Sequence, residues 1–574
     1  MRRLLAVLAV AALPACGLPL DQGVRPAGPV AAERVQGGPV QEYPPGPRPG
    51  AGPREVVVGF LNAQTSAEDD RALARSFLAP QAQEAWDDEG LVVVYDTDRF
   101  ETELVDEGGD AAGVVVRAAA LATIGADGAW SVDESLREEA YRLREVDGEW
   151  RLVSVPAGLR LTPQQARLSF LPAEVLFLST HSPGAAPLVP DRVFLPAEGG
   201  PDAVVQQLLD GPSGALRDAV RTAVPEGTAL RRPVEVADGV VTVDLTAPAA
   251  EAQSEDRRAL SAQLFWTVQA ALPGTTGLRL LVDGEPLAVP GVGELQQASD
   301  WAAYDPVGPA GRTAALFVAD GRLQRLDGTP TRSAATDGQL PVRAVASAPS
   351  SGRLALLTEE GGLEVVRTGP PAGPFEPPVL SGVDVRSLSW GSGERGLFVL
   401  AAGGDGSGEV LHAPLQGGLV PVPVDRPPGA GPLQVLRVSR DGARAAAVFG
   451  EGSERRLHVG RVEPGPVPRI TGLRSVAPGL TDVADVSWES GTSLVVLAPL
   501  GTPDALPVRV SVDGSLVEPV GTLGLVGQPQ SVAAAPGRPL VVGALLDGAP
   551  VLLFEDDGLF RRQAGTGQAP AYPG

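Results

Sequence analysis

The chain has 574 residues, 43% of them hydrophobic and one a cysteine, which is enough apolar side chain for several cores and too little thiol for an internal disulfide. With 46 basic and 70 acidic residues the net charge is -24, which repels phosphate backbones and excludes nucleic acid as an expected partner. Every basic side chain is arginine, so Schiff-base lysines, Ser-Lys dyads and P-loop lysines are absent, and His181, His412 and His458 show no metal-ligand spacing.

The amino terminus opens with Arg2 and Arg3, an apolar run over 4–13, and then Leu13-Pro14-Ala15-Cys16-Gly17. Such a run is too short for the ~30 Å hydrocarbon core of a bilayer. It reads as a signal peptide over 1–15 with a lipobox, cleaved before Cys16. The expected product carries an S-diacylglycerol on the Cys16 thiol and an N-acyl (palmitate) chain on its new amino group. Ala15 and Gly17 fit that motif and Pro14 is unusual in it; the competing reading is ordinary cleavage beside an incidental cysteine. Two or three acyl chains make a stable anchor where one is marginal, so the expectation is lipid attachment to the outer face of the cell membrane. Residues 16–53 are dense in Pro and Gly, as in Tyr43-Pro44-Pro45-Gly46-Pro47, and read as a tether spanning ~35 Å as flexible coil.

Residues 54–161 read as an α+β domain. Apolar residues recur at helical spacing over 55–61 and 70–78, predicting two short helices, and strands follow over 91–95, 113–123, 140–146 and 149–155, the last two around Asp147-Gly148. Helices followed by a meander suggest a nuclear-transport-factor-like cone, a shape that often holds a pocket. This stretch has 23 acidic and 10 basic residues and so supplies -13 of the charge, read as a solvated face in preference to an acidic docking surface.

Residues 172–290 read as a second α+β domain: a strand, a helix over 201–210, a hairpin at Asp238-Gly239, a long helix over 256–272 stopped by Pro273-Gly274, and a strand over 278–282 with the turn Asp283-Gly284. From 296 to 574 short apolar strands alternate with Gly, Pro and Asp-Gly turns. Similar motifs centred on Ala303, Ala346, Ser389, Ser439, Ser487 and Ala533 recur at steps of 43, 43, 50, 48 and 46 residues. A period of about 40–50 residues of short strands marks a β-propeller with one blade per repeat, giving about six blades, with five or seven left open.

Leu208-Leu209-Asp210-Gly211-Pro212, Val224-Pro225-Glu226-Gly227-Thr228, Val240-Val241-Thr242-Val243-Asp244-Leu245, Leu264-Phe265-Trp266-Thr267 and Leu280-Leu281-Val282-Asp283-Gly284 resemble the sporulation and germination (GerMN) domain in order and spacing. Together with the lipobox and the propeller, nearly the whole chain resembles the LpqB lipoproteins of actinobacteria. That resemblance implies an extracytoplasmic accessory protein working with the Mtr-type sensor histidine kinase of a two-component system, in control of cell-wall metabolism, division and development. It carries over no catalytic residue, no cofactor and no metal; Cys16 alone maps to a defined chemical role.

Other chemistry is weaker. Asp87-Asp88-Glu89 and Glu138-Glu139 read as solvated charge before they read as glycan-cleaving carboxylates. Gly403-Gly404-Asp405-Gly406-Ser407-Gly408 lacks the lysine of a phosphate loop and reads as a propeller turn. Three functions stay open on residues alone: a tethered non-catalytic regulator that binds the sensor's extracellular part, a sensor or carrier of an unknown small ligand, and a propeller enzyme acting on cell-wall glycan or lactone.

Overall fold

The fixed φ of Pro53 suits a first helical turn, and the first helix of the computed structural model starts there; the model describes residues 45–574 apart from 66–67, 107, 183, 309–313, 330–334, 393–395 and 416. Helix Pro53–Ala63 buries Val56, Val57, Phe60 and Leu61 against a sheet. The helix expected over 70–78 is Glu68–Arg75 and stops short. The reason lies in the strand it meets: Phe77 O accepts from Leu152 N at 3.0 Å and Ala79 N donates to Leu152 O at 2.8 Å, drawing the chain out of its helix. A third helix, Pro80–Ala85, was not anticipated.

The sheet under these helices runs Glu149–Ser154, Leu136–Val146, Ala111–Ile124, Val92–Asp106, Leu159–Leu161, with Trp130–Val132 beside Ala111–Ile124. Asp147 (φ 52°) and Gly148 (φ 80°) are both left-handed, as a type I′ hairpin requires. The long strand Val92–Asp106 shifts register between Tyr95 and Phe100. Such irregularities bend a sheet, and here it curls around Phe60, Trp86, Tyr141 and Leu152 as the expected cone.

The second domain places helices Gly200–Asp210 and Ser254–Ala271 against two small sheets. Strands Phe170–Ser179 and Val189–Pro196 pair along their length, while Val240–Leu245 and Gly277–Val282 run parallel. Leu260, Leu264, Phe265 and Val268 of the long helix are fully buried in the shared core. Asp244 is buried too: its Oδ2 takes Arg231 at 3.1 Å and Arg232 at 3.0 Å, and its Oδ1 accepts from Gly284 N at 3.0 Å, pinning the Asp283-Gly284 turn.

The propeller has six blades, five of four strands and one of three. Blades two to six occupy Val342–Ser381, Val385–Pro421, Leu433–Ser475, Asp485–Pro519 and Gln528–Arg562 in unbroken succession. Blade one joins Leu316–Ala319 and Arg322–Arg325 to the carboxy-terminal strand Gln568–Ala571, which takes the innermost position and closes the ring. This corrects one repeat assignment. Ala303 does not mark a blade; it lies in the 3-10 helix Ala298–Tyr304, whose Trp301 and Tyr304 pack into the core of the second domain. The inner strand that Ala303 was expected to announce is supplied by the other end of the chain.

Inner strands are laced together by side chains. Ser389 Oγ accepts from Val438 N (2.8 Å), Asp485 Oδ2 from Val532 N (3.0 Å) and Ser487 Oγ from Ala534 N (3.0 Å), each bond reaching the next blade. Trp390 and Trp488 donate back to Ala346 O and Arg437 O of the preceding blade. Among the described residues no helix is long and apolar enough to cross a membrane.

Candidate functional site: the junction of the three domains

Strand Phe170–Ser179 ends where polar residues take over, and residues 179–182 and 184–187 lie across the mouth of the propeller funnel. Ser179 Oγ donates to Asp441 O (3.3 Å), His181 Nε2 lies 2.8 Å from Val462 O, and Arg444 Nη2 donates to Pro190 O (2.6 Å). Farther along, Glu174 accepts from Thr492, and Arg192 forms an ion pair of 3.1 Å with Asp513 of blade five. The cone is fastened to the same place. Phe194 N donates to Gly128 O (2.8 Å), Gly214 N to Asp127 Oδ2 (2.8 Å), Arg474 of blade four to Ser131 Oγ (3.3 Å), and Trp130 stacks on Phe194 with centroids 4.9 Å apart. Buried polar groups satisfied across a boundary fix relative orientation, because any slippage leaves them unpaired.

Arg440 closes the funnel axis. It leaves blade four at the turn after the inner strand Leu433–Val438 and donates to Trp488 O of blade five (3.0 Å), Ala534 O of blade six (2.7 Å) and Pro573 O beside the closing strand of blade one (2.8 Å). In a ring of six, blade one faces blade four, so this side chain spans the channel. Burial pushes its guanidinium pKa down to about 10, opposed by the neighbouring Asp441. Between this arginine and the overlying loop remains a cavity of about 300 Å³ lined by Ser182, Pro187, Ser350, Ser392 and Asp441.

The residues singled out in the sequence do not assemble into a reaction centre. His181 joins two domains, His412 packs on Phe398 in blade three, and His458 stands edge-on to Phe449 in blade four with its pKa pushed down by burial. Asp88 is held by Arg71 (2.9 Å) and Arg75 (2.7 Å), and Asp87 caps the amide of Glu89 at 3.1 Å. Glu138 pairs with Arg117 in solvent and Glu139 with Arg160, both at 2.7 Å, the latter pair beside a cone interior that retains only about 20 Å³ of space, room for one water. The run 403–408 is the turn between strands Leu397–Ala401 and Glu409–Ala413, with Asp405 accepting from Ser407 N at 2.9 Å. Cys16, the signal segment and the tether up to residue 44 lie outside the described residues. No group of metal-ligating side chains exists among the described residues.

Sequence reasoning missed Arg440 and Arg444. One signal was available: Arg440 stands two residues past the end of its inner strand, where the other repeats carry Pro349, Ser392, Ser490 and Ala535, and a charge there is out of pattern.

Cone, germination-type domain and six-bladed propeller, clasped at one junction, define a class of multidomain propeller proteins. Family models match each part: the lipoprotein LpqB N-terminal domain over 46–167, the sporulation and spore germination domain over 177–288, and the lipoprotein LpqB beta-propeller domain over 319–573. A "Lipoprotein LpqB" of Thermobifida fusca is 32% identical over 592 residues, covering 92% of this chain and 92% of that relative. Another of Cutibacterium acnes is 27% identical, covering 97% and 95%. The TolB crystal structure from Acinetobacter baumannii matches 47% of this chain and 69% of its own at 14% identity, with a TM-score of 0.37. The chain belongs to the LpqB lipoprotein family.

Proposed function

We propose that this protein is a non-catalytic accessory protein, lipid-anchored through Cys16 on the extracytoplasmic face of the cell membrane, that binds the extracellular part of an Mtr-type sensor histidine kinase and so affects cell-wall homeostasis, division and development. The observation that carries the reading is the junction itself. Three domains are clasped into one body by bonds such as Arg192–Asp513 and His181–Val462, while the funnel mouth, where propellers usually admit substrate, is covered by residues 179–182 and 184–187 and crossed by Arg440. Such a construction presents surfaces in fixed relative orientation, which suits a platform for contacts better than a catalyst. Family membership supports the reading, and the relatives bear no enzyme name.

Capture of the sensor's purified extracellular domain by the lipidated protein in bilayer discs tests it. Saturable binding is expected, and its absence across salt and lipid composition refutes the proposal. A second reading, small-ligand sensing, is favoured by the cavity of about 300 Å³ under the loop, where Ser392 Oγ is buried without a partner. It predicts ligand-dependent protection of residues 179–182 and 184–186 from hydrogen exchange.

A further inference from the structure

A second cavity, of about 190 Å³, opens where cone, second domain and blades four and five meet. Its lining carries four guanidinium groups, Arg192, Arg444, Arg461 and Arg474, and two carboxylates, Asp191 and Asp513, within a chain of net charge -24. Two of the arginines are neutralised: Arg192 by Asp513 at 3.1 Å and Arg461 by Glu463 at 2.9 Å. Arg444 and Arg474 meet no carboxylate at ion-pair distance among the described residues. Asp191 is occupied, its Oδ2 taking Ser213 N at 2.7 Å and its Oδ1 Ser213 Oγ at 3.0 Å, and nearby Asp127 is held by Ala129 N and Gly214 N.

What remains is unspent donor capacity. Arg444 is 4% exposed and donates through Nη2 to Pro190 O, but its Nη1 is buried with no partner. Leaving a cationic N–H buried and unpaired is costly, and the chemistry that answers it is an oxygen acceptor with negative charge. Arg474 offers a second guanidinium whose one bond, to Ser131 Oγ, is long at 3.3 Å. Gly472, at φ 63°, keeps the wall open, since a Cβ there would stand 3.0 Å from Arg461 Nη1.

We propose that this cavity binds a small oxyanion of the phosphoryl class, held by the guanidinium groups of Arg444 and Arg474 and flanked by Arg461 and Arg192. A tetrahedral group with several oxygens suits donors converging from separate strands, and guanidinium is the side chain best matched to it. The space lies below the roughly 300–1,000 Å³ of cavities that enclose whole ligands, so it takes a free phosphate or the terminal phosphate of a larger ester. Its lining comes from the cone (Trp130), the second domain (Arg192) and the propeller (Arg474, Asp513), so an occupant tightens the three-domain junction.

The test uses the intact lipoprotein in detergent. Inorganic phosphate, titrated to tens of millimolar, is expected to raise the melting temperature saturably, while potassium chloride at matched ionic strength does not. Glycerol 3-phosphate distinguishes the source: stabilisation by both probes indicates an ester terminus, and stabilisation by phosphate alone a free anion. Arg474→Gln should keep the fold and weaken the response roughly tenfold. Arg444→Met, if it folds, should abolish it. An equal effect of chloride, no saturable binding, or an undiminished response in Arg474→Gln overturns the proposal.

Discussion

Replacing Arg440 by methionine keeps most of the apolar stem and removes the guanidinium that ties blade four to blades five, six and one. Each hydrogen bond from a charged group contributes about 1.5–3 kcal/mol, so three contribute roughly 4–9 kcal/mol. Against this stands the burial of the charge: a pKa pushed down to about 10 corresponds to about 3 kcal/mol at 1.36 kcal/mol per tenfold. The expected net loss is therefore roughly 1–6 kcal/mol, concentrated in the propeller. Urea unfolding followed by tryptophan fluorescence, combined with hydrogen exchange at Gln568–Ala571, reads both the size and the place of the change. Arg440→Lys should fall between wild type and Arg440→Met, because an ammonium cannot fork to three carbonyls. A loss below about 0.5 kcal/mol, or exchange at Gln568–Ala571 as slow as in wild type, would refute the idea of an axial tie.

Asp244→Ala should destabilise the second domain by about 3 kcal/mol, since it leaves Gly284 N and two arginines without their shared acceptor; calorimetry of the full chain checks it. His458 gives a pH dependence. Burial lowers its folded pKa below the unfolded value of about 6.5, so the unfolded chain takes the proton first. The stability from neutral His458 is full above that unfolded pKa and declines as pH falls through it toward the folded one; His458→Gln should remove that part of the slope in denaturant midpoints. Cys16→Ser should leave the melting of the folded domains unchanged and move the protein from the membrane pellet to the supernatant on fractionation; retention in the pellet would count against the lipid anchor.

Much of the architecture was legible because its signals are local. The Asp-Gly pairs at 147–148, 238–239 and 283–284 all take left-handed backbone, as hairpin turns with that sequence should. The recurring Ser389 and Ser487 have a physical meaning beyond pattern, since each accepts the inner-strand amide of the next blade. The misplaced first repeat had the opposite cause. Sequence order suggested that blade one begins near Ala303, but its inner strand is contributed by Gln568–Ala571, some 250 residues away, and no local spacing encodes that pairing. Likewise the junction depends on side chains from separate domains, and nothing in the neighbourhood of Arg444 announces Pro190 or Arg474.

The strand Gln568–Ala571 has a consequence for how the molecule is made. A chain made from its amino terminus has blades two to six in hand before this strand emerges. Until then the edge of Leu316–Ala319 has no neighbour on its inner side. Ring completion is thus the last step of the propeller's folding, and a chain lacking those few residues would be left with an open, adhesive sheet edge.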